Sequence, residues 1–133
     1  MEIKSEQVTL NVSQENVFMF LKNMNNWEQL MPKEKIKEWQ STESECSFKI
    51  ESLASIGLKL ENSTPNSELK IESAGKSPFP FTINVNVTEV ESETSNAQLI
   101  FNGQVNPFLK AMVQTPLTNF FNMLADKLKN KYS

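Results

Sequence analysis

Residues Asn106 to Tyr132 read NPFLKAMVQTPLTNFFNMLADKLKNKY, and this stretch decides the fold. Leu109, Met112, Val113, Leu117, Phe120, Leu124 and Leu128 recur at intervals of three and four, which places them on one side of a long helix. Pro107 suits the first turn, where its missing N–H costs nothing. Lys127, Lys129 and Lys131 set positive charge against the negative end of the helix dipole. Pro116 lies inside the run and removes one backbone hydrogen bond, which predicts a bend between Met112 and Thr115. A helix this long and apolar on one side needs a large surface to cover.

Immediately upstream, Ala97, Leu99, Phe101, Gly103 and Val105 alternate with polar neighbours, the period of a strand with one buried face. The same alternation recurs in Phe81, Ile83, Val85 and Val87, in Leu69, Ile71 and Ser73, in Ile56, Leu58 and Leu60, and in Cys46, Phe48 and Ile50. Ile36 to Gln40 supplies a further strand. Polar or Pro-containing segments such as TESE, STPNS and AGKSP separate these runs at hairpin spacing. Val8, Leu10 and Val12 form the first strand. Ser13 then caps a short helix, Gln14 to Asn23, carrying Val17, Phe18 and Leu21, and NNWEQLMP makes a second helical turn that closes before Pro32. The order predicts an α+β architecture: a curved antiparallel sheet of six or seven strands wrapped around the long C-terminal helix, with two short helices after the first strand. The first strand is expected to pair with the last.

Composition narrows function mainly by what it lacks. With 133 residues, a single domain over 1–133 is the expectation, and no apolar run approaches the roughly 18 residues of a membrane span. MEIKSEQ is too polar for a signal peptide, so a cytoplasmic location is expected. Cys46 is the single cysteine, histidine is absent, and all 13 basic residues are lysines. An intramolecular disulfide is therefore excluded, the commonest metal ligand and general base is missing, and no guanidinium fork is available for phosphate. A net charge of −3 with scattered lysines argues against a nucleic-acid surface. No metal site and no cofactor is expected.

Five stretches carry a family resemblance: SQENVFMFL after the first strand, NNWEQLMP, PNS in the middle hairpin, GKSPFPF, and NPFLKAMVQTPLTNFFNMLADKL. Together with the element order, they resemble the helix-grip superfamily of pollen allergens, lipid-transfer START proteins and polyketide cyclases, and more closely a group of small bacterial START-like proteins of unestablished function. The resemblance covers essentially the whole chain. It implies a sheet wrapped around the last helix with an apolar cavity between them, which in relatives holds lipids, steroids or polyketide-like molecules. It carries over no catalytic residue.

On that reading the pocket lining is Trp39, Phe48, Ile50, Ile56, Leu58, Phe81, Ile83, Val85 and Phe101 from the strands, with Met112, Val113 and Phe120 from the helix. The same residues would equally make an ordinary core. Trp27 is read as an anchor for the short helices, and KSPFPF offers Phe79 and Phe81 around Pro80 as a gate or as plain packing. Ser73, Cys46 and Glu89 are the few polar groups in the inward phase; Cys46 has nothing to activate it, and Glu89 falls at a strand end. Three functions compete. The first is a carrier or sensor of a small, mostly apolar molecule. The second is a protein-interaction module with a collapsed core, meeting its partner through a sheet edge or the Phe121 and Met123 flank of the helix. The third is a cyclase or hydrolase acting by shape, for which no catalytic residue set stands out.

Overall fold

The computed structural model describes residues 1–51 and 54–133. Its sheet is built from β1 (Glu2–Lys4), β2 (Val8–Leu10), β3 (Ile36–Ser41), β4 (Glu45–Ile50), β5 (Ser55–Thr64), β6 (Glu68–Ala74), β7 (Phe81–Glu91) and β8 (Thr94–Gly103). All pairings are antiparallel, in the spatial order β1-β8-β7-β6-β5-β4-β3, with β2 also on β8. Consecutive strands from β3 onward are neighbours, as hairpin spacing requires. The first strand lies against the last.

Eight strands replace the six or seven expected, because the first is split. Lys4 pairs with Ile100 and Val8 with Ala97, so three residues, Ser5 to Gln7, face two on β8. That extra residue is a bulge. Ser5 fastens it: its N–H donates to the Leu99 carbonyl at 2.9 Å, and its Oγ accepts from the Leu99 N–H at 3.0 Å. A bulge shifts the alternation by one, so Ile3 and Val8 both point inward although they lie five positions apart, an odd interval. Simple period-two reading therefore finds β2 and misses β1.

α1 (Gln14–Lys22) begins at Ser13, whose Oγ accepts from the Asn16 N–H at 3.2 Å, and buries Val17, Phe18 and Leu21. A 3₁₀ segment, Met24–Leu30, follows and buries Met24, Trp27 and Leu30. α2 (Pro107–Lys131) starts at Asn106, whose side-chain oxygen accepts from the Leu109 N–H at 2.8 Å, and carries Lys129 and Lys131 in its last turn. It runs through Pro116 without interruption. Pro116 and Met112 both face solvent, so the Met112 carbonyl that loses its partner is on the wet side, where water can serve it. Val113, Leu117, Phe120, Phe121, Leu124, Ala125 and Leu128 form the buried arc of α2 against the sheet's inner face.

Two expectations about α2 are corrected here. Met112 is 59% exposed rather than turned to the sheet, because the first turns of the helix project beyond their cover and Val113 is the first buried residue. Phe121, expected on an outer flank, is 3% exposed. A curved sheet embraces a wider arc of helix than a flat one, so both of the adjacent rings Phe120 and Phe121 are enclosed. The backbone also ties α2 to the first strand: the Asn11 N–H donates to the Tyr132 carbonyl at 2.7 Å, and the Glu6 N–H to Asn122 Oδ1 at 2.9 Å. Among the described residues no helix is long and apolar enough to cross a membrane.

Candidate functional site

Between the inner face of the sheet and α2 lies a void of about 20 Å³, room for about one water. No polar atom contributes to its wall. Alternation along β4, β5, β7 and β8 delivers Phe48, Ile50, Ile56, Leu58, Phe81, Ile83 and Phe101 to it, and the helical period delivers Phe120, so these expected residues do converge. Trp27, Phe79, Leu117, Phe121 and Leu124 complete the wall. Val85 and Val113 are buried elsewhere in the core, and Met112 stands in solvent. Trp39 is one ring removed, stacked on Phe48 at 5.6 Å between centroids.

Aromatic rings dominate this interior and touch in an unbroken series. From Trp39 the contacts run to Phe48, then Phe120 at 6.1 Å, Phe121 at 5.6 Å, Phe101 at 5.4 Å, Phe81 at 5.2 Å and Phe79 at 6.0 Å. The ends of the series, Trp39 and Phe79, are half-buried, and the members between them are buried. Gly103 makes the Phe79 end possible: a Cβ there would lie 2.9 Å from the Phe101 ring and 3.0 Å from the Phe79 ring. The bare backbone lets two rings close over it. In the sequence Phe79 stands out only as part of KSPFPF; in the fold it precedes β7, whose first residue, Phe81, pairs with Gly103. Trp27 is fully buried and donates its indole N–H to the Leu21 carbonyl at 2.8 Å, so it both anchors the short helices and forms part of the wall.

The polar candidates do not face the void. Ser73 Oγ accepts the Phe81 N–H at 3.1 Å, a structural use at the start of β7. Glu89 is exposed. Cys46 is buried, and burial, with a smaller contribution from the Glu45 charge, pushes its thiol up to about 12, so it stays protonated and unreactive at neutral pH. Glu6 is raised because its protonated carboxyl donates a hydrogen bond to Asp126 and because of that carboxylate's charge, but the pair sits on the surface beside α2. Ser5 and Ser95, the buried polar residues of the core, are both hydrogen-bonded; Ser95 Oγ donates to the Val12 carbonyl at 3.0 Å. Among the described residues no group of three or more His, Cys, Asp or Glu side chains could hold a metal ion.

A larger depression of about 870 Å³ crosses β3, β4, β5 and the end of β6. Its lining takes residues of both phases of the sheet: the expected Trp39, Phe48, Ile56 and Leu58, with Cys46, as well as the outward-phase Glu45, Ser47, Ser55 and Gly57, and none from α1, the 3₁₀ segment or α2. Ser47, Ser55, Gly57 and Ala74 leave the sheet backbone close to solvent there, with Glu38, Gln40, Glu45 and Lys76 around them. It is a wide depression of mixed polar and apolar lining. The seam under α2 is the wholly apolar one of the two, whereas the depression has the volume usual for a small-molecule site.

No family model matches this chain, and no curated protein matches it. Solved structures do. A START superfamily protein from Mycobacterium smegmatis superposes with a TM-score of 0.72 at 12% identity, covering 98% of this chain and 96% of that one. A point mutant of norcoclaurine synthase from Thalictrum flavum, in complex with a transition-state analogue, gives 0.77 at 10% identity, covering 99% and 93%. A di-domain aromatase/cyclase of the BE-7585A biosynthetic pathway gives 0.67 at 13% identity, covering 98% of this chain and 45% of that chain. The START-like helix-grip fold suggested by the sequence is the fold of this protein. At these identities the likeness carries the fold and no further.

Proposed function

We propose that this chain is one helix-grip domain over residues 1–133, of the small bacterial START-like kind, that binds a small and mostly apolar molecule in the seam between sheet and α2. It would act in the cytoplasm as a carrier or sensor. The observation that carries the reading is the void whose entire wall is apolar and whose margin includes the half-buried Phe79 and Ile56. Rings beside an unfilled space lack contacts on one side, and an apolar guest would supply them. A norcoclaurine synthase mutant of the same fold is in complex with a transition-state analogue, which supports a small-molecule site by analogy. The closed seam holds about one water, so a guest must displace rings as it enters, and affinity is reduced by the fraction of time the seam is open.

A second reading has its own observations. The small void and the outward Phe108 and Met112, 77% and 59% exposed, suit an interaction module whose interior is a packed core and whose partner covers the start of α2. Native mass spectrometry with solvent extraction, on protein purified from its own host, separates the two. A small apolar molecule travelling with the chain supports the first. A bare chain that copurifies with a stoichiometric protein supports the second.

A further inference from the structure

We propose that the end of the molecule carrying the start of α2 docks on an anionic lipid surface, with Phe108 and Met112 entering the bilayer interface and four lysines meeting the headgroups. This role stands whether or not the seam takes a guest. Four large apolar side chains are exposed among the described residues: Met19 at 57%, Val90 at 50%, Phe108 at 77% and Met112 at 59%. The first two lie singly on α1 and β7, as surface hydrophobics commonly do. Phe108 and Met112 are four residues apart on one helix and therefore adjacent on its surface. Pro107 and Ala111 beside them are exposed as well, and Val113 is the first residue of α2 to be buried. This apolar tip projects past its cover, and nothing in the fold buries it.

The same end of the sheet gathers positive charge. Antiparallel pairing brings the turn before β3, the segment after β4, the β6–β7 connection and the β8–α2 connection to that end. There the Glu51 N–H donates to the Lys35 carbonyl at 2.9 Å and the Gln104 N–H to the Pro80 carbonyl at 3.3 Å. These segments and the first turns of α2 carry Lys33, Lys35, Lys76 and Lys110, against Glu34 and Glu51. The balance is +2 in a chain of net charge −3, which leaves −5 for the remainder. All four lysines are exposed, and none is held in an ion pair among the described residues. No Asp or Glu occurs between Glu93 and Asp126, so no carboxylate lies close in the chain to the apolar tip. An acidic molecule that approaches an anionic surface by this end presents its attractive side, and each lysine near such a surface is worth about fivefold in affinity. Shape favours a lipid surface over a protein. A projecting tip offers no pocket for a partner's anchor residue, whereas a fluid interface closes around any convex apolar group.

The test is cosedimentation of the full chain with vesicles of phosphatidylcholine alone and of phosphatidylcholine mixed with an equal part of phosphatidylglycerol. The chain should bind the mixed vesicles, bind the neutral ones at least about tenfold more weakly, and leave the mixed ones at about 0.5 M salt. Phe108→Ala should lower affinity for the mixed vesicles at least about tenfold, Met112→Ala several-fold and Lys110→Glu at least about fivefold. Met19→Ala removes a comparable exposed side chain from α1 and should leave affinity unchanged. All four positions are exposed, so each variant should keep the urea midpoint of the parent and report on docking alone. Failure to bind the mixed vesicles, equal binding to both kinds of vesicle, or an affinity that Phe108→Ala leaves unchanged would overturn the proposal. A protein that copurifies with the parent but not with Phe108→Ala, together with no vesicle binding, would overturn it by assigning the tip to a protein partner.

Discussion

Replacing Phe120 with alanine tests whether the ring series under α2 holds the fold together. Phe120 is 7% exposed, packs on Phe48 at 6.1 Å and on Phe121 at 5.6 Å, and borders the void. Truncating a buried phenylalanine costs about 3–5 kcal/mol. The existing void could in principle lower that figure, because a ring beside empty space has fewer contacts to lose. At about 24 cal/mol per Å³, however, a void of about 20 Å³ corresponds to only about 0.5 kcal/mol, so the full range stands. With a urea m-value near 2 kcal/mol/M, the unfolding midpoint should fall by about 2 M. A domain of ordinary stability survives this loss, so the variant can be measured in its folded form. The control is Met112→Ala on the solvent side of the same helix, expected to change stability by under about 0.5 kcal/mol. The reasoning is refuted if both midpoints move equally, or if Phe120→Ala moves by less than about 0.3 M.

Other outcomes follow from single contacts. Cys46 has its thiol raised from 9.0 to about 12 by burial, so its contribution is complete below about pH 9 and is lost as pH rises toward 12. Stability should fall by up to about 1.4 kcal/mol per pH unit in that window, and Cys46→Ala, measured by urea unfolding at pH 8, 9 and 10, should show a flatter profile than the parent. Gly103→Ala should cost about 1–3 kcal/mol, since the added methyl presses on Phe101 and Phe79; a neutral thermal melt would show that those rings have room to move. Ser95→Ala leaves the Val12 carbonyl without its buried donor and should cost about 1–3 kcal/mol by denaturant titration, whereas exposed Ser92→Ala should not. Uptake of a neutral apolar probe should be flat between pH 6 and 8, because no titratable group faces the seam; a calorimetric midpoint inside that range would contradict the wall described above.

Regular alternation made most of the sheet legible. Phe81, Ile83, Val85 and Val87 face inward as their period requires, and Ser13 caps α1 as its position suggests. What was not legible depended on three-dimensional curvature and offsets. The bulge at Ser5 reverses the parity between Ile3 and Val8, and nothing local in EIKSEQV announces it. Phe121 beside Phe120 looked like an outer residue, since a helical stripe counts one face, while a curved sheet encloses more than one. Met112 kept the period of the buried stripe, yet where α2 outruns its cover the period has no partner to bury against. Of the site, the aromatic and aliphatic wall could be read from phase. The near closure of the space could not, because volumes left between rings depend on how Phe79, Phe81 and Phe101 tilt over Gly103.

The pairing of β1 and β2 with β8 sets an order of assembly. Glu2 lies opposite Asn102, so the earliest strand waits through nearly the whole of synthesis for its neighbour, and the loop that must close spans some hundred residues. Until the residues after Gly103 emerge, the part of the inner face that α2 covers, with Ile83 and Phe101, is left open beside α1. During that interval the nascent hairpins expose apolar surface, the condition under which partly folded chains aggregate.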